Sequence, residues 1–122
     1  MSSKDLGKKG EEIAVKYLKK QGYKIIELNY QTKLGEIDII ALDKNILVFI
    51  EVKSRISPRY GPPIEAVNQR KRLQVEKVAK VYLTQKNLWH LNCRFDIVSI
   101  ILTAQKPNIF LAKDAFWVES EK

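Results

Sequence analysis

Cysteine is almost missing from this 122-residue chain. Cys93 stands alone, so no disulfide can close within it and no cysteine cage can hold a metal. Histidine is as scarce: with His90 single, there is no second imidazole for a zinc site and no recognisable setting for a serine or cysteine triad. No apolar run approaches the roughly 20 residues of a membrane span. Met1-Ser2-Ser3-Lys4-Asp5 lacks the apolar core of a secretory signal. No glycine-rich loop of the P-loop type occurs, nor any repeat, low-complexity tract or linker. These absences predict a cytoplasmic globular protein with no membrane partner, built as one compact domain over residues 1–122.

Acids are in short supply as well. Lys and Arg number 22 against 14 Asp and Glu, a formal net charge of +8. That balance suits a polyanionic partner, of which nucleic acid is the commonest. The distribution says more than the total. Residues 53–72 carry six cations and one acid, whereas residues 33–52 carry four acids and two cations. A local acidic island in a basic chain is what a metal site facing phosphate requires. Within it, Asp43 and Lys44 read only as turn residues.

The hydrophobic pattern predicts a helix over 4–21, capped by Ser2 with Asp5 in capping-box spacing and ended by Gly22. A strand over 23–28 follows, then a polar connection over 29–35. Strands over 36–42 and 46–53 are separated by so tight a turn that they form an antiparallel hairpin. Ser57 to Pro63 is a loop, with Pro63 at the first helical position of a helix over 64–86. Its buried side is read as Val67, Leu73, Val75, Val78, Ala79, Tyr82 and Leu83. Strands over 94–102 and 107–111 complete the chain. The expectation is an α/β fold, a mixed central sheet flanked by helices in the order αβββαβ(β).

Two strands carry the chemistry. Side chains two apart in a strand share a face. Glu36 and Asp38 are therefore expected together, and likewise Glu51 and Lys53, with Ile37, Ile39, Val48, Ile50 and Val52 on the other face. Burying three carboxylates and a lysine among such residues is costly without a cation or partner. Asp38 and Glu51, brought side by side by the hairpin, can hold one or two Mg²⁺ or Mn²⁺ ions. The Val52 carbonyl supplies a third oxygen, and Glu36 is a further candidate ligand. Lys53 can polarise the attacking water or stabilise phosphoryl charge. Glu11 borders the apolar stripe of the first helix and can reach the metal directly or through water. The plainer alternative is an ion cluster in which Lys53 neutralises a carboxylate. Asp96, beside Arg94, reads as a salt bridge or strand cap. Trp89, Phe116 and Trp117 read as core or a packing edge.

Gly7-x-x-Gly10-Glu11-x-x-Ala14, Gly35-Glu36-Ile37-Asp38, Phe49-Ile50-Glu51-Val52-Lys53-Ser54-Arg55, Arg94-Phe95-Asp96 and Ala115-Phe116 resemble the YraN-like family of small bacterial proteins. The resemblance runs from Gly7 to Phe116. It implies a restriction-endonuclease-like fold of the PD-(D/E)xK nuclease superfamily, near archaeal Holliday-junction resolvases. The superfamily's Asp falls on Asp38, its Glu on Glu51 and its Lys on Lys53, and the resolvases' helix-one Glu falls on Glu11. The proline of the motif is replaced by Ile37. The implied activity is metal-dependent endonuclease cleavage of DNA, branched or junction DNA by analogy, with a homodimer as the resolvase-like assembly. Arg55, Arg59 and Tyr60 flank the site strand and are candidates for phosphate contact and base stacking. Gln69 and Lys71 sit near the start of the second long helix, where nuclease folds of this kind often place a polar site residue, and are candidates for nucleic-acid contact; an exposed helix face is the plainer reading of each. A non-catalytic nucleic-acid binder with the same fold is the alternative, and an interaction module with an incidental basic surface is a third reading.

Overall fold

The computed structural model describes residues 2–56, 69–102 and 106–115. The first helix, α1 (Ser3–Lys20), starts where expected: the Asp5 amide donates to Ser2 Oγ at 3.0 Å. Lys19 and Lys20 lie in its last turn, where the helix dipole favours cations. It ends on Gly22, whose φ of 95° suits a residue without a Cβ. Gly22 N–H bonds Lys19 O and Tyr23 N–H bonds Leu18 O, the paired closure that satisfies the last carbonyls.

Among the described residues five strands follow: β1 (Lys24–Thr32), β2 (Gly35–Asp43), β3 (Ile46–Arg55), β4 (Asn92–Ile101) and β5 (Asn108–Ala112), with α2 (Gln69–Lys86) between β3 and β4. They form one sheet in the order β1-β2-β3-β4-β5. Only β3 and β4 pair in parallel, as a connection through a helix permits; the other neighbours are antiparallel. The result is the mixed α/β sheet expected, flanked by a helix on each face. On one face α1 buries Ala14 and Leu18 against Ile39, Val48, Ile50 and Val98. On the other, α2 buries Val75, Val78, Ala79 and Tyr82 against Ile40, Leu47 and Phe49. No helix among the described residues is long and apolar enough to cross a membrane.

The structure corrects four local expectations. The polar connection over 29–35 is mostly strand. Tyr30, Gln31 and Thr32 pair with Ile37, Glu36 and Gly35, leaving only Lys33 and Leu34 to turn the chain, because Tyr30 is buried in the α2-side core. Leu73 is 40% exposed rather than buried. Val75, Val78, Ala79, Tyr82 and Leu83 are the side α2 turns to the sheet, and Leu73 falls off that stripe. Trp89 is 56% exposed, its indole N–H bonded to Thr84 Oγ1, so it is not core. Phe116, Trp117, Pro63, Val67 and the loop from Ser57 to Pro63 lie outside the described residues.

The fourth correction concerns faces. Ile37 packs in the α2-side core and Ile39 in the α1-side core, although they are two apart. The opposite strand does the same: Tyr30 joins the α2 side, while Leu28 lines a groove with α1 residues Lys9 and Ile13. Between the rungs Leu28–Ile39 and Tyr30–Ile37 stand Asn29 and Asp38. Asn29 has φ 52°, the left-handed conformation, inside a strand. That turn resets the alternation of β1, and β2 shifts with it.

Candidate functional site

The paired strands β2 and β3 part company at the acids. Their last rung is Ile39–Ile50, whereas β3 stays in register with β4 as far as Arg55–Ile101. In the fork, the Val52 N–H donates to Asp38 Oδ2 at 2.8 Å, where a ladder bond would otherwise stand. The Asp38 backbone lies near enough to the Glu51 carboxylate to favour its charged form, opposing the rise that burial causes. In an antiparallel pair the N–H and C=O of one residue face the same neighbour. The Val52 carbonyl is therefore directed into the same fork.

Glu51 is buried on the α2 side of β3. Its Oε1 lies 3.4 Å from the Nζ of Lys71, which reaches in from the first turn of α2. Its Oε2 is buried with no hydrogen-bond partner. Lys53 is two residues along a strand that keeps its register with β4, so it shares the Glu51 face, half-buried. It forms no salt bridge among the described residues; the lysine that neutralises Glu51 is Lys71.

Both acids are held in protonation-prone surroundings. Burial pushes the Asp38 carboxyl above its usual range; the Val52 amide opposes this, Glu11 and Glu36 add to it, and Lys71 reduces it. Burial also pushes Glu51 up, with the Asp38 charge reinforcing the shift and Lys71 opposing it. Two desolvated carboxylates that feel each other's charge resist carrying two negative charges at once.

Glu11, on α1, accepts a 2.7 Å hydrogen bond from Asn29 Nδ2. Burial raises its carboxyl, the Asn29 bond lowers it, and Glu36 raises it again. Glu36 accepts from Gln31 Nε2 at 3.0 Å, its cross-strand neighbour. Gln69 is exposed at the start of α2, and Arg55 is half-buried at the end of β3. Arg59 and Tyr60 lie outside the described residues. Sequence reasoning offered Lys71 as a polar residue that can reach the site but did not pair it with Glu51, and it passed over Asn29. The signal for Asn29 was present, since asparagine is the side chain besides glycine that most readily enters the left-handed region.

Among the described residues no three Asp, Glu, His or Cys side chains converge as a metal cage. Mg²⁺ does not need one: it binds through one or two carboxylates and keeps several waters or substrate phosphates. Asp38, the unpaired Glu51 Oε2 and the Val52 carbonyl are hard oxygen donors of that kind, so the residues fit such an ion.

A second polar cluster lies at the other end of the strands. Asp96 is fully buried and accepts from Arg94, the Tyr23 hydroxyl and the Asp114 amide. Arg94 also bonds Asp43 at 2.9 Å. Every strong partner there is satisfied within the cluster, which makes Asp96 the salt-bridged residue expected of it.

Together the forked sheet and its acid pair define a class: a mixed α/β protein whose carboxylates gather where one hairpin strand leaves its neighbour. The chain belongs to the uncharacterised protein family UPF0102, whose model matches residues 10–100. It is similar to a UPF0102 protein of Clostridium kluyveri, 47% identical over 118 residues that cover 95% of this chain and 97% of the relative. A UPF0102 protein of Alkaliphilus metalliredigens is 49% identical over 104 residues, covering 85% and 91%. One of Caldanaerobacter subterraneus subsp. tengcongensis is 46% identical over 106 residues, covering 87% of each. The family resemblance carried by the sequence motifs holds at this level.

Proposed function

We propose that this protein is a divalent-metal-dependent endonuclease of the PD-(D/E)xK kind, hydrolysing phosphodiester bonds in DNA, with branched or junction DNA as the substrate its resolvase-like motifs favour. The observation that carries the reading is the buried, unpartnered Oε2 of Glu51 beside Asp38. An acceptor in that position is expensive to leave unpaired, and a divalent cation offsets the cost. A protein that only binds nucleic acid gains nothing from buried carboxylates that repel phosphate.

Hydrolysis requires a proton to leave the attacking water, charge on the phosphate to be stabilised, and the leaving oxygen to be neutralised. Asp38, Glu51 and the Val52 carbonyl would hold Mg²⁺ or Mn²⁺, which supplies Lewis acidity and lowers the pKa of water. Lys53, on the Glu51 face, orients the water and stabilises the phosphoryl oxygens. Lys71 limits the mutual repulsion of the acids. The net charge of +8 draws the polyanion in.

The test incubates the purified protein with labelled duplex, flap, four-way-junction and single-stranded DNA, with Mg²⁺, Mn²⁺ or chelator, beside Glu51→Gln and Lys53→Ala. Cleavage by the wild type alone, and only with metal, is expected. Salt-sensitive binding that survives both substitutions with no cleavage by any form would make the protein a non-catalytic binder.

A further inference from the structure

Asn29 is anomalous. It lies within a nine-residue strand, yet its backbone has φ 52°. It is exposed, so its bond to Glu11 adds little to stability. It spends its side-chain donor on a carboxylate of another element rather than on its own backbone, the usual partner of a left-handed asparagine. By register it stands across from Asp38, and the face reversal of both strands is centred on this pair.

Resting on the metal-site reading above, we propose that Asn29 is a positioning residue that holds the Glu11 carboxylate beside Asp38, so that Glu11 joins the metal's hydration shell. The left-handed turn serves two ends. It aims the amide at Glu11 Oε1 across the seam between β1 and α1, and it offsets Asp38 into the fork where Val52 meets it. The 2.7 Å bond fixes one Glu11 oxygen and leaves the other available to water. Glu11 adds to the field on Asp38, as an acid nearby must. Partners that orient a ligand in this way tune metal affinity without touching the ion.

Mn²⁺ affinity, read by electron paramagnetic resonance with no nucleic acid present, tests this. The variants are Asn29→Gly, Asn29→Asp, Glu11→Gln, Asn29→Gly with Glu11→Gln, and Glu51→Gln. Glycine accepts the φ without strain and removes only the side chain; aspartate keeps shape and backbone preference but offers no donor. Asn29→Gly and Asn29→Asp are each expected to weaken Mn²⁺ binding by on the order of 10-fold with thermal midpoints close to wild type. The double variant is expected to be no weaker than Glu11→Gln alone. Unchanged affinity in Asn29→Gly and Asn29→Asp, or independent losses that multiply in the double variant, overturns the role of Asn29. If the wild type binds no Mn²⁺, or Glu51→Gln binds as tightly, the metal-site reading itself falls and this inference with it.

Discussion

Lys71 Nζ stands 3.4 Å from Glu51 Oε1, a half-exposed helix cation against a buried strand acid. Its charge opposes the burial that pushes both Asp38 and Glu51 toward their neutral forms. The contact ties the start of α2 to the fork between β2 and β3.

Replacing Lys71 with methionine keeps the stem and removes the charge. Glu51 then ionises at higher pH than in the wild type. The expected stability loss, on the order of 1 kcal/mol because the lysine is partly solvated, appears above about pH 8, where Glu51 is ionised in the wild type, and vanishes as acid protonates it. Carboxyl-carbon NMR titration of Glu51 reads the shift. An unmoved titration would mean that the pair contributes nothing in solution.

The acid pair makes stability fall with rising pH. Asp38 and Glu51 have raised carboxyl pKa values in the fold, so these two groups bind more protons in the native state than in the unfolded chain between about pH 4 and about pH 8. In that range each increment of pH costs stability. Glu51→Gln removes one of these groups. Urea melts should show the variant gaining on the wild type as pH rises from about 4 to 8, with the difference smallest at the acid end. A pH-independent difference would contradict the burial of Glu51.

Gly10 in α1 lies against Ser54 in β3. A Cβ at position 10 would fall 1.6 Å from Ser54 Oγ and 2.8 Å from Ser54 Cβ, so α1 must shift to admit one. Gly10→Ala is expected to destabilise by about 1–3 kcal/mol, despite the better helix propensity of alanine. Ser54→Gly vacates the space, and the next atom, Ile100 Cδ1, is at an ordinary 3.9 Å. A thermodynamic cycle should therefore show a favourable coupling between the two substitutions. Simple additivity would place α1 farther from β3 than described.

Arg94 supports a fully buried carboxylate. Its Nε bonds Asp96 Oδ1 at 2.9 Å, and its Nη2 serves Asp96, Asp43 and Tyr23. Arg94→Met leaves Asp96 with the Tyr23 hydroxyl and one amide. The expected cost is about 3–5 kcal/mol, the range for breaking a buried pair from one side. The Arg94 guanidinium also holds Asp43 below the usual carboxylate range. That share of stability is present above about pH 4 and is lost as acid protonates Asp43. The acid limb of the wild-type stability curve should flatten in the variant, as chemical denaturation at pH 2–5 can show.

The sequence made the element order legible because each signal was local. Ser2 with Asp5 marked a helix start, Gly22 its end, and the short turn at Lys44 and Asn45 a hairpin. The meeting of Asp38 with Glu51 followed from that hairpin. What escaped depended on departures from ideal periodicity. Strict alternation put Ile37 with Ile39, and a single left-handed residue at 29 undid it. The reach of Lys71 depends on how α2 rotates against the sheet, which nearest-neighbour pattern does not encode. The hydrophobic pattern puts Leu73 on the buried side, whereas the packed stripe of α2 is set by the tyrosine and valines behind it.

The parting of β2 from β3 leaves the Val52 amide proton reporting on one carboxylate. Its partner is a side-chain oxygen of Asp38 rather than a backbone carbonyl. Its chemical shift and solvent-exchange rate thus follow the ionisation of Asp38, giving a native spectroscopic gauge within the fork that requires neither label nor substrate.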